Sequence, residues 1–362
     1  MAHFARASKA KPVPTSYEAL MLAITLLLAA APTATPAGLE ALFEKVDPSV
    51  VTVRVGLKRL DETSSGYRLQ VGVGMGAGVV LHSDGFVATA AHVVDGSEGV
   101  WVDFQDGTTE PADIVTLSRT EDVALLKVWS MPKGVAVATL GNSDAVKPGQ
   151  SVFAIGAPLG LGHSLTAGVV SSVRHGPHQG LMPGNVIQTD AALNTGNSGG
   201  ALFNARGEVV GIASYIASTS GGSQGLGFAV PSNVVRERLF EHPLPYLGVS
   251  LRHLPPPVTK LFNWPYPEVM LIEVVRPKSA ADEAGLIGGQ VDATIGGSEV
   301  RLGGDVIVKV NGHEAGEVKA IGQYLDALKE GDQVQYTVLR GGKLLDVSVK
   351  VPKRIPVPKL KK

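Results

Sequence analysis

The stretch that most constrains this chain runs Asp190-Ala191-Ala192-Leu193-Asn194-Thr195-Gly196-Asn197-Ser198-Gly199-Gly200-Ala201-Leu202. It sets one hydroxyl, Ser198, in a turn with a glycine two before it and two glycines after it. Glycine lacks a Cβ, so such a turn can take left-handed angles and let another chain approach closely. The N–H groups of Gly196 and Ser198 can then point the same way. Two convergent backbone donors beside a hydroxyl suit acyl transfer, because they hydrogen-bond the oxyanion that forms in the transition state. Taken alone, the pattern also fits a plain Gly/Ser/Asn surface turn. The decision therefore rests on whether a base and its orienter exist elsewhere.

Both exist. His92 closes the apolar run Val87-Ala88-Thr89-Ala90-Ala91, which follows the turn Ser83-Asp84-Gly85, and Asp122 stands at the mouth of the buried-looking strand Val123 to Val128. A serine hydroxyl is a weak nucleophile, so an imidazole must take its proton and a carboxylate must hold that imidazole in the right tautomer. His92, Asp122 and Ser198 fill those roles, and their order along the chain is that of two-barrel, chymotrypsin-type enzymes. Short strands with turn signals between them, among them Val100 to Phe104, Asp113 to Leu117 and Ser151 to Gly156, predict two antiparallel barrels with the site in the cleft between them.

Five blocks in this order carry a family resemblance: residues 89–94 around His92, 121–128 around Asp122, 154–162, Gly196 to Gly200, and 225–233. Together they resemble the HtrA/Deg family of PDZ-containing serine proteases. The expected fold is mainly β, a chymotrypsin-like double six-stranded β-barrel followed by a small α+β PDZ domain. The resemblance implies an endopeptidase of the cell envelope that degrades unfolded or damaged proteins. It also implies a homotrimer or higher oligomer assembled with help from Phe43, a short regulatory loop at Leu57 to Tyr67, and a sensor loop at about 175–184. Two alternatives stay open: a membrane-linked protease cutting one specific partner, and a non-enzymatic chaperone or scaffold.

The specificity pocket is expected from Ala192, Leu193, Ile212 and Ser214. Alanine at 192, six before the serine, cannot select a basic side chain, so cleavage after small or medium aliphatic residues is expected. Asp190 is the nearby acid that would change this if it lined the pocket; otherwise it bonds loop backbone. Asn197 precedes the serine and is uncharged, so it cannot pair with a freed amino terminus. Control must then act by ordering the loops around Gly196.

The breaker run Glu241-His242-Pro243-Leu244-Pro245 marks a boundary. Beyond it, Tyr246-Leu247-Gly248-Val249, the block 277–286, the block 304–312, a helix from Val318 to Leu328 and a hairpin at Gly341-Gly342 resemble a PDZ domain. The first four residues would bind a peptide's terminal carboxylate. A run at 289–302 reads as an extra loop, and the basic end 354–362 as a solvated tail. The domains so read are 1–37, 38–241, 242–353 and 354–362.

At 362 residues the chain suits two or three compact units, and its net charge of −1 gives no footprint for nucleic acid. Cysteine is absent, which removes disulfides and thiolate catalysis. No cofactor is called for: His175 and His178 lack a third ligand nearby, and the alternating glycines of Val71 to Val80 precede no helix that could hold phosphate. Residues 1–37 carry the basic start, apolar run and small residues of a secretory signal, so export, to a periplasm, is expected. An uncleaved anchor is the other reading.

Overall fold

The computed structural model describes residues 38–360 apart from 64–65, 158–161, 177–183, 195, 217–223 and 296–297. The leader, most of the expected sensor loop with His178, and the polar loop after Ile216 lie outside the described residues.

Strand alternation builds two cores at once. Strands β1 (Val50–Thr63), β2 (Gly66–His82), β3 (Phe86–Thr89), β4 (Gly99–Asp103), β5 (Thr109–Ser118) and β6 (Val123–Val128) close a barrel in the order β1-β2-β3-β6-β5-β4. Along β2, β3 and β6, successive side chains point to opposite faces. Val80, Val87, Ala124 and Leu126 fill the barrel's own interior. Val79, Leu81, Ala88 and Leu125 point out of it, into a second cluster. That second cluster is completed from the other barrel, which comprises β7 (Ser151–Gly156), β8 (Ser164–Arg174), β9 (Val186–Thr189), β10 (Ala201–Asn204), β11 (Val209–Ile216) and β12 (Gly227–Pro231). Phe153, Ile155, Phe203, Val209, Ile212 and Val230 supply its share. The shared interior explains why β6 reads as a continuous apolar run instead of an alternating one.

The expected helix at Leu39–Val46 is present, and Phe43 is half-buried against the shared interior. The described residues between Leu57 and Tyr67 are strand and not loop. β1 runs on to Thr63 and pairs in unbroken register with β2 as far as Thr63 opposite Gly66. Long-range strand pairing overrides the polar, glycine- and serine-bearing composition of this stretch.

The PDZ domain is a sheet of β13 (Val249–Leu254), β14 (Val269–Val275), β17 (Val306–Val310), β19 (Gln333–Arg340) and β20 (Lys343–Lys350), with β13 at one edge. A short β18 (His313–Glu314) pairs with β17. The helix Val318–Asp326 covers one face through Ile321. Residues 289–302, expected as a loop, form a hairpin of β15 (Val291–Ile295) and β16 (Ser298–Leu302), and β15 lies beside β1. Asp305 is fully buried, accepting from Arg340 Nε and Nη2 at 2.6 Å each and from the Ile287 N–H at 2.9 Å.

The C-terminal segment departs from expectation. Ile355, Val357 and Leu360 pack against the interior shared by the two barrels. Arg354 donates to the carbonyls of Pro243 and Leu328, at 3.3 and 2.5 Å. Lys353 and Lys359 are exposed. Prolines hold the intervening backbone extended, which lets the apolar residues face the barrels.

Asp305→Ala leaves the Ile287 N–H and the half-exposed Arg340 fork without their acceptor, so it is expected to destabilise the PDZ domain by about 2 kcal/mol. Urea unfolding followed by tryptophan emission checks this, since Trp264 lies in that domain.

Candidate active site

Sheet pairing brings His92 and Asp122 together. β3 and β6 are neighbours with Thr89 opposite Ala124. The segments just beyond those residues therefore emerge side by side, the helix Ala91–Val94 with His92 on one and Asp122 on the other. Asp122 holds a left-handed φ of 56°, unusual for a residue with a side chain. Its carboxylate accepts the His92 backbone N–H at 2.9 Å and faces His92 Nδ1 at 2.8 and 3.0 Å. The Ser214 hydroxyl donates to the same carboxylate. Burial pushes the Asp122 pKa up, but the bond and charge of His92, the Ser214 hydroxyl and the His92 N–H outweigh it and hold the group below its usual value. An ionised carboxylate at Nδ1 fixes the imidazole with its proton on that nitrogen and leaves Nε2 as an acceptor.

Ser198 comes from the second barrel, in the turn before β10. Its carbonyl accepts the Ala77 N–H of β2 at 2.8 Å, which bonds the Ser198 backbone directly to the first barrel. Close approach requires glycine at 76 in β2: a Cβ there would meet Val93 at 2.7 Å and the Ser198 carbonyl at 3.0 Å. Gly199 is constrained twice, by a φ of +84° and by the Ala77 carbonyl and Thr89 Oγ1, each 2.2 Å from where a Cβ would stand. The turn is held further by Asn197 N–H to Asn194 O, Ala157 N–H to Gly196 O, Gly199 N–H to Ala213 O and Gly200 N–H to Asn197 O. None of these bonds uses the N–H of Gly196 or Ser198. The Ser198 hydroxyl donates to the Ser214 carbonyl at 3.2 Å.

Ser214 thus touches both ends of the constellation, its hydroxyl on Asp122 and its carbonyl on Ser198. It was expected in the specificity pocket, and no spacing in the sequence distinguishes these roles. A cavity of about 300 Å³ opens here, lined by His92, Asp122, Ser214, Tyr215, Val186 and Val230 among others. Tyr215 stacks on Phe228 with centroids 4.7 Å apart. The other pocket candidates sit differently. Ile212 is fully buried in the interior shared by the barrels, and Leu193 is buried in the second barrel's own core. Neither is among the residues lining that cavity: inward alternation on β11 takes Ile212 to the core, and Leu193 packs into the second barrel from the loop between β9 and β10. Ala192 is half-buried and its carbonyl accepts from Asn197 Nδ2 at 3.3 Å. Asp190 is exposed, and its carboxylate accepts the Val169 N–H at 2.6 Å.

Two family profiles match separate parts of the chain. Residues 76–212 match a family profile described as a trypsin-like peptidase domain, and residues 245–351 one described as a PDZ domain. A probable periplasmic serine protease do/HhoA-like of Haemophilus influenzae is 33% identical over 348 residues, covering 86% of this chain and 71% of that protein. The chain belongs to the HtrA/Deg family. Among other HtrA/Deg relatives, the periplasmic pH-dependent serine endoprotease DegQ of Escherichia coli is 32% identical over 86% of this chain and 69% of its own length. A DegP-like relative from Halomonas elongata is 36% identical, and the chain spans 56% of its length. A solved HtrA-type protease, an AlgW variant with decapeptide, superposes with a TM-score of 0.52 at 25% identity, covering 88% of this chain and 98% of that one.

Two outcomes follow from the geometry. Gly199→Ala should lower turnover by about a hundredfold, since displacing a catalytic group by an ångström costs that much; hydrolysis rates and labelling of Ser198 by a fluorophosphonate measure it. A depressed carboxylate pKa contributes stability that is full above the unfolded-state value near 4 and lost as pH falls through the lower folded value. The stability margin of the parent over Asp122→Asn should therefore hold at neutral pH and shrink in acid, read by urea unfolding at several pH values.

Proposed function

We propose that this chain is an exported serine endopeptidase in which Ser198 attacks the peptide carbonyl, His92 moves the proton and Asp122 orients His92. The observation that carries the reading is the placement of Ser214, which ties the Ser198 hydroxyl and the Asp122–His92 pair into one connected set. For attack, the Ser198 side chain turns from the Ser214 carbonyl toward His92 Nε2 and gives up its proton as the Oγ–C bond forms. The N–H groups of Gly196 and Ser198 receive the oxyanion, and the imidazolium then protonates the leaving amine. Asp122, held ionised, stabilises that imidazolium.

Cleavage after small or medium aliphatic residues is the specificity we propose, with Ala192 at the floor of the pocket. The absence of an acid at 192 and the engagement of Asp190 by backbone support it. Unfolded or damaged envelope proteins are the proposed substrates, and peptide C-termini the proposed ligands of the Tyr246–Val249 turn, whose strand β13 is a free sheet edge. Periplasmic names among the relatives support the compartment. A homotrimer or larger assembly is proposed on the family resemblance, and sedimentation velocity tests it.

Purified chain is expected to hydrolyse unfolded β-casein, and Ser198→Ala to lose at least about a thousandfold in rate while keeping its fold. Equal, residual hydrolysis by both would overturn the reading and leave a binding role. An added peptide with an apolar C-terminal residue should change the parent's rate.

A further inference from the structure

Arg119 stands three residues before Asp122, in the turn between β5 and β6, and its guanidinium reaches two other parts of the molecule. Nε and Nη2 bind the two carboxylate oxygens of Asp95, each at 2.7 Å, in a bidentate pair. Asp95 follows directly on the helix that carries His92, and its N–H closes that helix on the Ala91 carbonyl. Nη2 also donates to the backbone carbonyl of Val249, in the PDZ turn. One side chain thus joins the segment holding His92, the segment holding Asp122 and the start of β13.

The Val249 carbonyl is a particular acceptor. The Gly248 carbonyl takes the Arg276 N–H at 2.8 Å, on the β14 side. Backbone groups alternate along an extended strand, so the next carbonyl, that of Val249, faces away from β14. Since β13 is the sheet edge, that direction is where an added strand would place its own N–H. The barrel side is close at this point. Tyr246 packs against the first barrel's interior, and a Cβ on Gly96, next to Asp95, would lie 3.2 Å from Val274.

We propose that Arg119 competes with the last residue of a bound peptide for the Val249 carbonyl, so that a chain terminus entering the β13 edge detaches the PDZ turn from the segments holding His92 and Asp122. This rests on the reading of Tyr246–Val249 as a site for peptide C-termini. The contact is a coupling between two sites, and such coupling is reciprocal: whatever the peptide does to Arg119, Arg119 does to the peptide's affinity. The route is separate from residues 175–184, to which the family resemblance gives the reporting role. The bidentate pair with Asp95 survives peptide entry, because only the bond to Val249 is contested.

The test uses the full chain and a fluorescein-labelled decapeptide with Leu-Val and a free carboxylate at its C-terminus, followed by anisotropy. Arg119→Met removes the competitor and should bind the peptide about five- to tenfold more tightly than the parent, within the usual range of coupling between sites. Arg119→Lys, which cannot hold both oxygens of Asp95 and the carbonyl at once, should fall between them. The change that peptide produces in β-casein hydrolysis should shrink in Arg119→Met. In the parent itself, amide exchange at residues 93–97 and 119–123 should rise when peptide is added. Equal affinities for the parent and a folded Arg119→Met, or exchange that does not respond to bound peptide, would overturn the proposal alone. No binding to either protein at millimolar peptide would overturn the C-terminus reading as well.

Discussion

The interior shared by the two barrels is the constraint from which the site's distances descend. His92 and Asp122 belong to one barrel and Ser198 to the other, so their alignment is only as good as the packing of Val79, Leu81, Ala88 and Leu125 against Ile155, Phe203, Ile212 and Val230. Close-packed interiors resist small displacements, because a gap of a fraction of an ångström already forfeits much of the dispersion contact. One polar bond, Ala77 N–H to Ser198 O, crosses the same seam in the turn that carries Ser198. Gly76 and Gly199 let the two backbones meet there, which is why the site is bordered by glycine on both sides of the seam.

Around Asp122 the polar groups are few and multiply used. Its carboxylate serves the His92 ring, the His92 backbone and the Ser214 hydroxyl, and the strained backbone of Asp122 is held in place by these bonds. Three donors on one carboxylate keep it ionised despite burial. Such a cluster tolerates little substitution, since each partner is satisfied only through the others.

Much of this was legible in the sequence. His92, Asp122 and Ser198 stand out by their chain order and by the glycines and apolar strands around them, and the double barrel by its turn spacing. The PDZ domain is readable from its blocks. What was not legible depended on which way a side chain faces in the folded molecule. Ile212 and Leu193 are apolar residues close in sequence to the site, and nothing local says that barrel closure sends them inward. Ser214 looks like any small strand residue until β11 brings it between Ser198 and Asp122. Leu57 to Tyr67 and 289–302 have loop composition but pair as ribbons, because long-range register outweighs local preference in strands. Arg119 and Asp95 are unremarkable surface charges until the PDZ turn comes to lie beside them.

The C-terminal segment alters the mechanics of the PDZ domain as a moving part. A domain joined by a single linker can swing through a wide cone, whereas this one is held at both chain ends, by Glu241–Pro245 on one side and by Ile355, Val357 and Leu360 on the other. With two anchorages the remaining freedom is essentially a hinge about the line between them. Motion of the peptide edge is then confined to an arc instead of a volume. A nick at Pro243 would consequently leave the module riding on the barrels by its far end.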